Sequence, residues 1–194
     1  MADFQAIPGG ITAPSGFRAT GLHCGIKASG KPDLSLVVSD AVAQAAGVFT
    51  LNLAKAAPLL VCEDHLAATG GRAQAIITNS GCANACTGPQ GMADAREMAT
   101  LTARAVGCDD QLVLVASTGV IGVNLKMDKL RAGIPQAVAG LSSEGGAAAA
   151  RGIMTTDPFP KEYAVEVRTD IGTFRVGGMA KGSGMIEPRM ATML

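Results

Sequence analysis

A catalyst needs a nucleophile and a base, and this sequence offers few of the ordinary pairs. Its two histidines, His23 and His65, stand far apart and in no metal-ligand spacing. No G-x-S-x-G elbow, GxxxxGK phosphate loop or dinucleotide glycine fingerprint occurs. The cysteines Cys24, Cys62, Cys82, Cys86 and Cys108 are odd in number, and no second pair completes a zinc site around Cys82 and Cys86. They read as free thiols of a reducing compartment. A base is available without histidine if a threonine becomes an N-terminus. Its free α-amine titrates near ~8 and can take the proton of its own hydroxyl. Such an amine exists only after a peptide bond is cut, and Ala191–Thr192 in the tail "KGSGMIEPRMATML" offers such a bond. By residue type alone any threonine would qualify, and the plainer reading of the tail is a boundary inside a longer protein.

The elements that would position a site can be read from apolar patterning. "LSLVVS" (34–39), "GVFTLN" (47–52), "PLLVCE" (58–63), "AQAIITNS" (73–80) and "QLVLVAS" (111–117) have strand length and composition, and the last two run into small polar, glycine-bearing turns. In "GMADAREMATLTARAVG" (91–107), Ala95, Met98, Leu101, Thr102 and Ala105 fall near one helical face, and Gly107 ends the helix. "MDKLRAGIPQAVAGL" (127–141) is helical, with Pro135 expected to bend or divide it. "SEGGAAAARGIM" (143–154) is a short helix with a loose start. "YAVEVR" and "GTFRVGGMAKG" alternate around the turn "TDIG", which predicts a hairpin. The first thirty residues read as irregular or edge structure. Sheet covered by two or three helices is the expected class.

Composition narrows the partners. Formal net charge is zero, so the chain lacks the basic footprint of a nucleic-acid binder. No apolar run reaches membrane-span length, and "MADFQAIPGG" is not a secretory signal, so cytoplasm is the expected location.

The stretches "GFRATGLHCGIK", "AAGVFTLNLAKAAPL", "NSGCANACTG", "ASTGVIG", "GIMTTDPFPK" and "GGMAKGSGMIEPRMATML", taken in order, cover nearly the whole chain. As a set they resemble the N-terminal (α) part of the bifunctional ornithine acetyltransferases, or glutamate N-acetyltransferases, of arginine biosynthesis. The resemblance implies an α/β fold, a layered α-β-β-α sandwich like that of the self-processing ornithine acetyltransferases and aminopeptidases, completed by a separate β chain. It implies self-cleavage at Ala191–Thr192, making 1–191 the α-chain part of one catalytic fold and 192–194 the start of the β chain. An α2β2 heterotetramer is implied likewise. The implied reaction moves acetyl from N2-acetylornithine to glutamate through an acetyl-threonine on Thr192, with no metal or cofactor. A further activity with acetyl-CoA as donor is left open.

The same resemblance assigns residues. Thr118 and Gly119 match the family's oxyanion-stabilising pair, where the plain reading is a strand-ending turn. Lys181 and Thr155, with Thr192, match substrate-binding positions. A solvated lysine at a strand end is the bland reading of Lys181, and Thr156 or Asp157 could merely cap a turn. Two departures stand out: Cys82 where asparagine is common, and Pro158 where threonine is usual. Cys82 is a poor nucleophile candidate without a nearby histidine, and Asn79 and Asn84 are expected to hold their loop by local bonds. Two rival functions fit the residues less fully. One is a related self-processing N-terminal-nucleophile amidase or aminopeptidase; the other is a noncatalytic small-molecule binding domain.

Overall fold

The computed structural model describes residues 3–184 and 193–194. A four-stranded mixed sheet is built from β2 (Phe17–Leu22), β3 (Leu34–Gln44), β4 (Arg72–Cys82) and β5 (Val113–Val120), in that order. β2 pairs with β3 and β3 with β4 antiparallel, and β5 lies parallel to β4. A three-stranded antiparallel sheet joins β1 (Asp3–Ala6), β6 (Lys161–Thr169) and β7 (Gly172–Ala180), with the β6–β7 hairpin closing where the sequence predicts it. The helices are α1 (Ala57–Thr69), α2 (Gly88–Val106), α3 (Met127–Ala139) and α4 (Gly146–Gly152).

Strand pleating decides what each sheet face meets, because successive side chains point to opposite sides. The cross-strand row Thr20–Leu36–Ile77–Val115 faces α1, α2 and α3, where Val61, Met98, Leu130 and Ile134 complete the main core. The neighbouring row Ala19–Val37–Ile76–Leu114 faces the other way. Its first half is covered by Ala149 of α4, with Met179 of β7 and Ile11 packed alongside, which joins the two sheets. Its second half is open: Ile76 is 43% exposed although it stands on a central strand.

Two expected strands are not strands. Residues 58–63 lie in helix α1. Their apolar run reflects a helix with apolar neighbours on two sides, since Val61 and Cys62 enter the core while Leu59 and Leu66 line a cavity. Pro58 at the first turn and Gly70 in a left-handed C-cap are the local signals for that helix. Residues 47–52 are irregular because the chain leaves the sheet after Gln44. Thr50 Oγ1 accepts the Asn52 N–H and Asn52 Oδ1 accepts the Ala54 N–H, so turns take up the backbone donors. Among the described residues the α-helices accordingly number four, one more than the upper expectation.

Pro135 does not divide α3. It sits on the exposed side, where the Arg131 carbonyl left without a partner can meet water. In α2 the buried face is Ala95, Met98 and Thr102 as expected, joined by Ala99 and Ala103, while Leu101 and Ala105 lie at its half-buried margin. Helix α1 also closes much of the free edge of β5. Cys62 Sγ donates to Val115 O at 3.1 Å and accepts the Val115 N–H at 3.3 Å, and His65 Nδ1 lies 2.8 Å from Val113 O.

Candidate active site

The uncovered half of the sheet face forms one wall of a cavity of about 790 Å³. Leu114, Ala116 and Thr118 alternate along that wall, and the Thr155 loop, Lys181 and Gly182 close its polar end. Met193 and Leu194 also line it, and Leu194 O accepts the Lys181 N–H at 2.9 Å. Four of the residues singled out in the sequence, Thr118, Gly119, Thr155 and Lys181, thus share one cavity. Ala191 and Thr192 lie outside the described residues.

The oxyanion candidates sit where two parallel strands end. Thr118 pairs with Ser80 and Gly119 with Gly81, followed by a register shift at Cys82. Gly119 has φ 137°, and a Cβ there would stand 2.4 Å from the Gly81 carbonyl carbon and 2.6 Å from Cys82 N. Only glycine permits that approach at that backbone angle. The loop after β4 is tied by neutral groups, as its two asparagines predict. Asn79 Nδ2 donates to Cys82 O at 2.9 Å while its Oδ1 accepts Ser117 Oγ–H at 2.6 Å. Asn84 Nδ2 donates to Gly91 O at 2.8 Å and its Oδ1 accepts from Thr87 Oγ1 at 2.7 Å. Cys82 Sγ donates to Val123 O, and burial pushes its thiol up from the ordinary value. Burial likewise pushes the Cys62 thiol up to about 11, so neither is a ready thiolate at neutral pH.

Lys181 is buried, not solvated, and its Nζ donates to Thr118 Oγ1 at 2.9 Å. An ammonium can only donate, so Thr118 Oγ1 accepts and keeps its own hydrogen for another acceptor. A developing oxyanion in the cavity is such an acceptor. Burial lowers the proton affinity of Lys181, with Lys161 acting the same way and Asp157 opposing. Thr155 and Thr156 both line the cavity, but Thr156 is exposed and shares a 2.9 Å hydrogen bond with Ser183 Oγ. No bond engages the Thr155 hydroxyl among the described residues, whereas its N–H donates to Asp157 Oδ2 at 3.1 Å.

Sequence reasoning missed two groups at this end. Lys27 Nζ donates to Pro32 O and Met154 O, each at 2.7 Å, and so fixes the residue before Thr155. In the sequence Asp157 reads only as a possible turn cap, yet its side chain is 1% exposed and receives donors from three segments. Neither role leaves a local signal, because the partners that tie these groups to the site, Met154 for Lys27 and Gly182 for Asp157, are distant in sequence. Among the described residues no three His, Cys, Asp or Glu side chains converge as a metal ion would need.

Similarity to known proteins agrees with this geometry. The chain is 54% identical over its whole length to the arginine biosynthesis bifunctional protein ArgJ of Thermosynechococcus vestitus, and 53% identical to ArgJ 1 of a Nostoc species. It covers 46% and 47% of those proteins, so it spans about half the length of the curated relatives it matches. A crystal structure of ArgJ from Bacillus halodurans superposes with a TM-score of 0.90 at 39% identity, covering 100% of both chains. The ornithine acetyltransferase of Mycobacterium tuberculosis, solved in complex with ornithine, gives 0.87 at 44% identity over 99% of this chain and 100% of that one. The α/β fold with its layered sheets is therefore shared with solved relatives. A model of the ArgJ family matches residues 18–194, a span that runs from the second residue of β2 through β7 and takes in all four helices and every cavity residue discussed above, and the chain belongs to that family.

Proposed function

We propose that this chain is the first part, residues 1–191, of a self-cleaving acetyltransferase that moves acetyl from N2-acetylornithine to glutamate. The observation that carries the reading is the convergence of Thr118, Gly119, Thr155 and Lys181 on one cavity. Family membership and the ornithine bound to the Mycobacterium tuberculosis relative support the substrate class. They also set acyl transfer ahead of hydrolysis by a related amidase, and ahead of binding without catalysis. Met193 and Leu194, which directly follow Thr192, line the same cavity. The contrast in coverage fits as well: a relative whose product exists as two chains accounts for both a solved chain matched from end to end and curated sequences about twice as long.

In the precursor, Thr192 Oγ attacks the Ala191 carbonyl, and the peptide nitrogen leaves as the new α-amine, forming an ester. Water hydrolyses that ester, giving an Ala191 carboxylate and a free Thr192 with its hydroxyl restored. In turnover the amine takes the hydroxyl proton as Thr192 Oγ attacks the acetyl carbonyl. Charge gathers on the carbonyl oxygen, facing the Thr118 hydroxyl and the Gly119 N–H, each donor contributing roughly 3 kcal/mol in such sites. The C–N bond breaks, the proton passes to the departing amine, and ornithine leaves an acetyl ester on Thr192. The glutamate amine then attacks that ester, and Thr192 Oγ recovers its proton as N-acetylglutamate departs. Lys181 and Thr155 bind the polar end of both substrates.

A β chain beginning at Thr192 completes the open sheet face, and two copies of each chain form the assembly. Such a biosynthetic enzyme would work in the cytoplasm; among the described residues no helix is long and apolar enough to cross a membrane. Mass spectrometry of the full-length product tests the reading. Two fragments split at Ala191–Thr192 are expected, and Thr192→Ala should stay whole and transfer no acetyl group. An unbroken wild-type chain with full turnover would overturn it.

A further inference from the structure

Among the buried groups that the mechanism above leaves unused, the Asp157 carboxylate has the densest set of partners. Its Oδ1 accepts the Gly182 N–H at 2.8 Å and Lys161 Nζ at 2.6 Å, and its Oδ2 accepts the Thr155 N–H at 3.1 Å. These donors come from the end of β7, the start of β6 and the Thr155 loop. Gly182 directly follows Lys181, whose Nζ reaches Thr118. Apart from the exposed Thr156–Ser183 contact, Asp157 makes the side-chain bonds that join the Thr155 loop to the Lys181 segment among the described residues.

We propose that Asp157 is a positioning residue for the substrate site, holding Thr155 and Lys181 in fixed relation by accepting the N–H of one and the N–H that follows the other. The inference rests on the acyl-transfer reading of the site. A buried carboxylate of this kind does two things that a neutral turn cap would not. It sets the distance between two substrate-binding segments, since losing it leaves two N–H groups without their acceptor. It also places a negative charge near Lys181. The charged groups that bear on Lys181 are Asp157, which favours its protonated form, and the cations Lys161 and Lys27, which disfavour it. Burial works against the charged form too. Asp157 therefore favours the ammonium form of Lys181, the form able to donate to Thr118 and to meet a substrate carboxylate.

Steady-state kinetics of the full-length product against pH test this. The neutral amine of Thr192 is the base, so its protonation sets the acid limb of kcat/KM, and loss of the Lys181 proton sets the alkaline limb. Asp157→Asn should raise KM for N-acetylornithine by about tenfold and move the alkaline limb to lower pH. Lys161→Met, at a partly exposed side chain, removes a cation while leaving Asp157 its two backbone N–H donors. It should move the same limb to higher pH. Asp157→Glu should restore the limb even where KM stays raised. A purely structural Asp157 would lower melting temperature in Asp157→Asn and leave both the limb and KM of the folded protein alone, which would overturn the proposal. An unmoved limb in Lys161→Met would overturn it independently, even if Asp157→Asn failed to fold. A wild-type product that transfers no acetyl group would overturn the acyl-transfer reading, and this inference with it.

Discussion

Two corners meet at the cavity, and they are built from different physics. The corner at the ends of β4 and β5 is neutral: Asn79, Asn84, Ser117, Thr87 and two facing glycines hold it through amides, hydroxyls and close backbone contact. The corner formed by the Thr155 loop and the ends of β6 and β7 is charged: Lys27, Asp157, Lys161 and Lys181 meet there with backbone groups. Volume governs the first, because its parts approach to contact. Charge governs the second, because its buried ions need partners at every pH where the protein works. On the proposed reading, the oxyanion site is thus presented by groups that do not titrate, and the substrate's polar end by groups that do.

The largest effect that can break this contrast is a methyl group. Gly119→Ala would place a Cβ 2.4 Å from the Gly81 carbonyl carbon, at a φ of 137° that L side chains rarely adopt. Backbone strain and overpacking together should cost about 3 kcal/mol or more. Denaturant unfolding and acetyl-transfer rates should both fall sharply. A stable Gly119→Ala with normal turnover would show that the neutral corner does not depend on volume.

The next effect is smaller and depends on pH. Asp157 is buried, which opposes its ionisation, but Lys161 Nζ and the N–H groups of Gly182 and Thr155 outweigh burial and hold the carboxyl well below its ordinary 3.8. A depressed folded value means that the stability it contributes is fully present above the unfolded value. That stability is lost as pH falls through the folded one. Asp157→Asn should therefore be less stable than the parent by about 2 kcal/mol at pH 6, and the gap should narrow as unfolding is followed below about pH 4. Asn84→Ala, in the neutral corner, should show a gap that does not vary over the same range. If both gaps behaved alike, the division between the corners would be wrong.

The contrast also explains what the sequence could disclose. The neutral corner is largely local: although the Asn79–Ser117 bond crosses between strands, "NSGCANACTG" and "STG" each follow a buried apolar run, and the bonds of Asn79 and Asn84 to Cys82 and Gly91 span only a few residues. Small polar residues after an apolar run are enough to predict a tight loop there. The charged corner is not local. Lys27 reaches Met154, and Asp157 reaches Gly182, across long stretches that only the folded sheets bring together. Lys181 looked like an ordinary strand-end lysine because nothing beside it in sequence shows that it is buried. Helix α1 reads as a strand in the sequence for a related reason. Its apolar residues serve the core on one side and the cavity on another, so they lack the one-sided pattern that marks a surface helix.

The smallest effect separates two adjacent threonines. Both Thr155 and Thr156 border the cavity, and their residue type cannot rank them. Their partners can. Thr156 is exposed and its Oγ1 is already shared with Ser183, so Thr156→Val removes one solvent-accessible hydrogen bond. That should cost less than about 0.5 kcal/mol in stability and leave turnover within about twofold. Thr155 is half-buried, is fixed on one side by the Lys27–Met154 bond and on the other by Asp157, and has a hydroxyl not bonded among the described residues. Thr155→Val should leave folding equally intact yet raise KM for N-acetylornithine by about tenfold, the scale of one lost hydrogen bond to a charged group. Measuring both KM values in parallel decides the matter. Equal losses would mean that the clamp around Thr155 has no bearing on which hydroxyl meets the substrate, and the charged corner would then order the loop without selecting a contact.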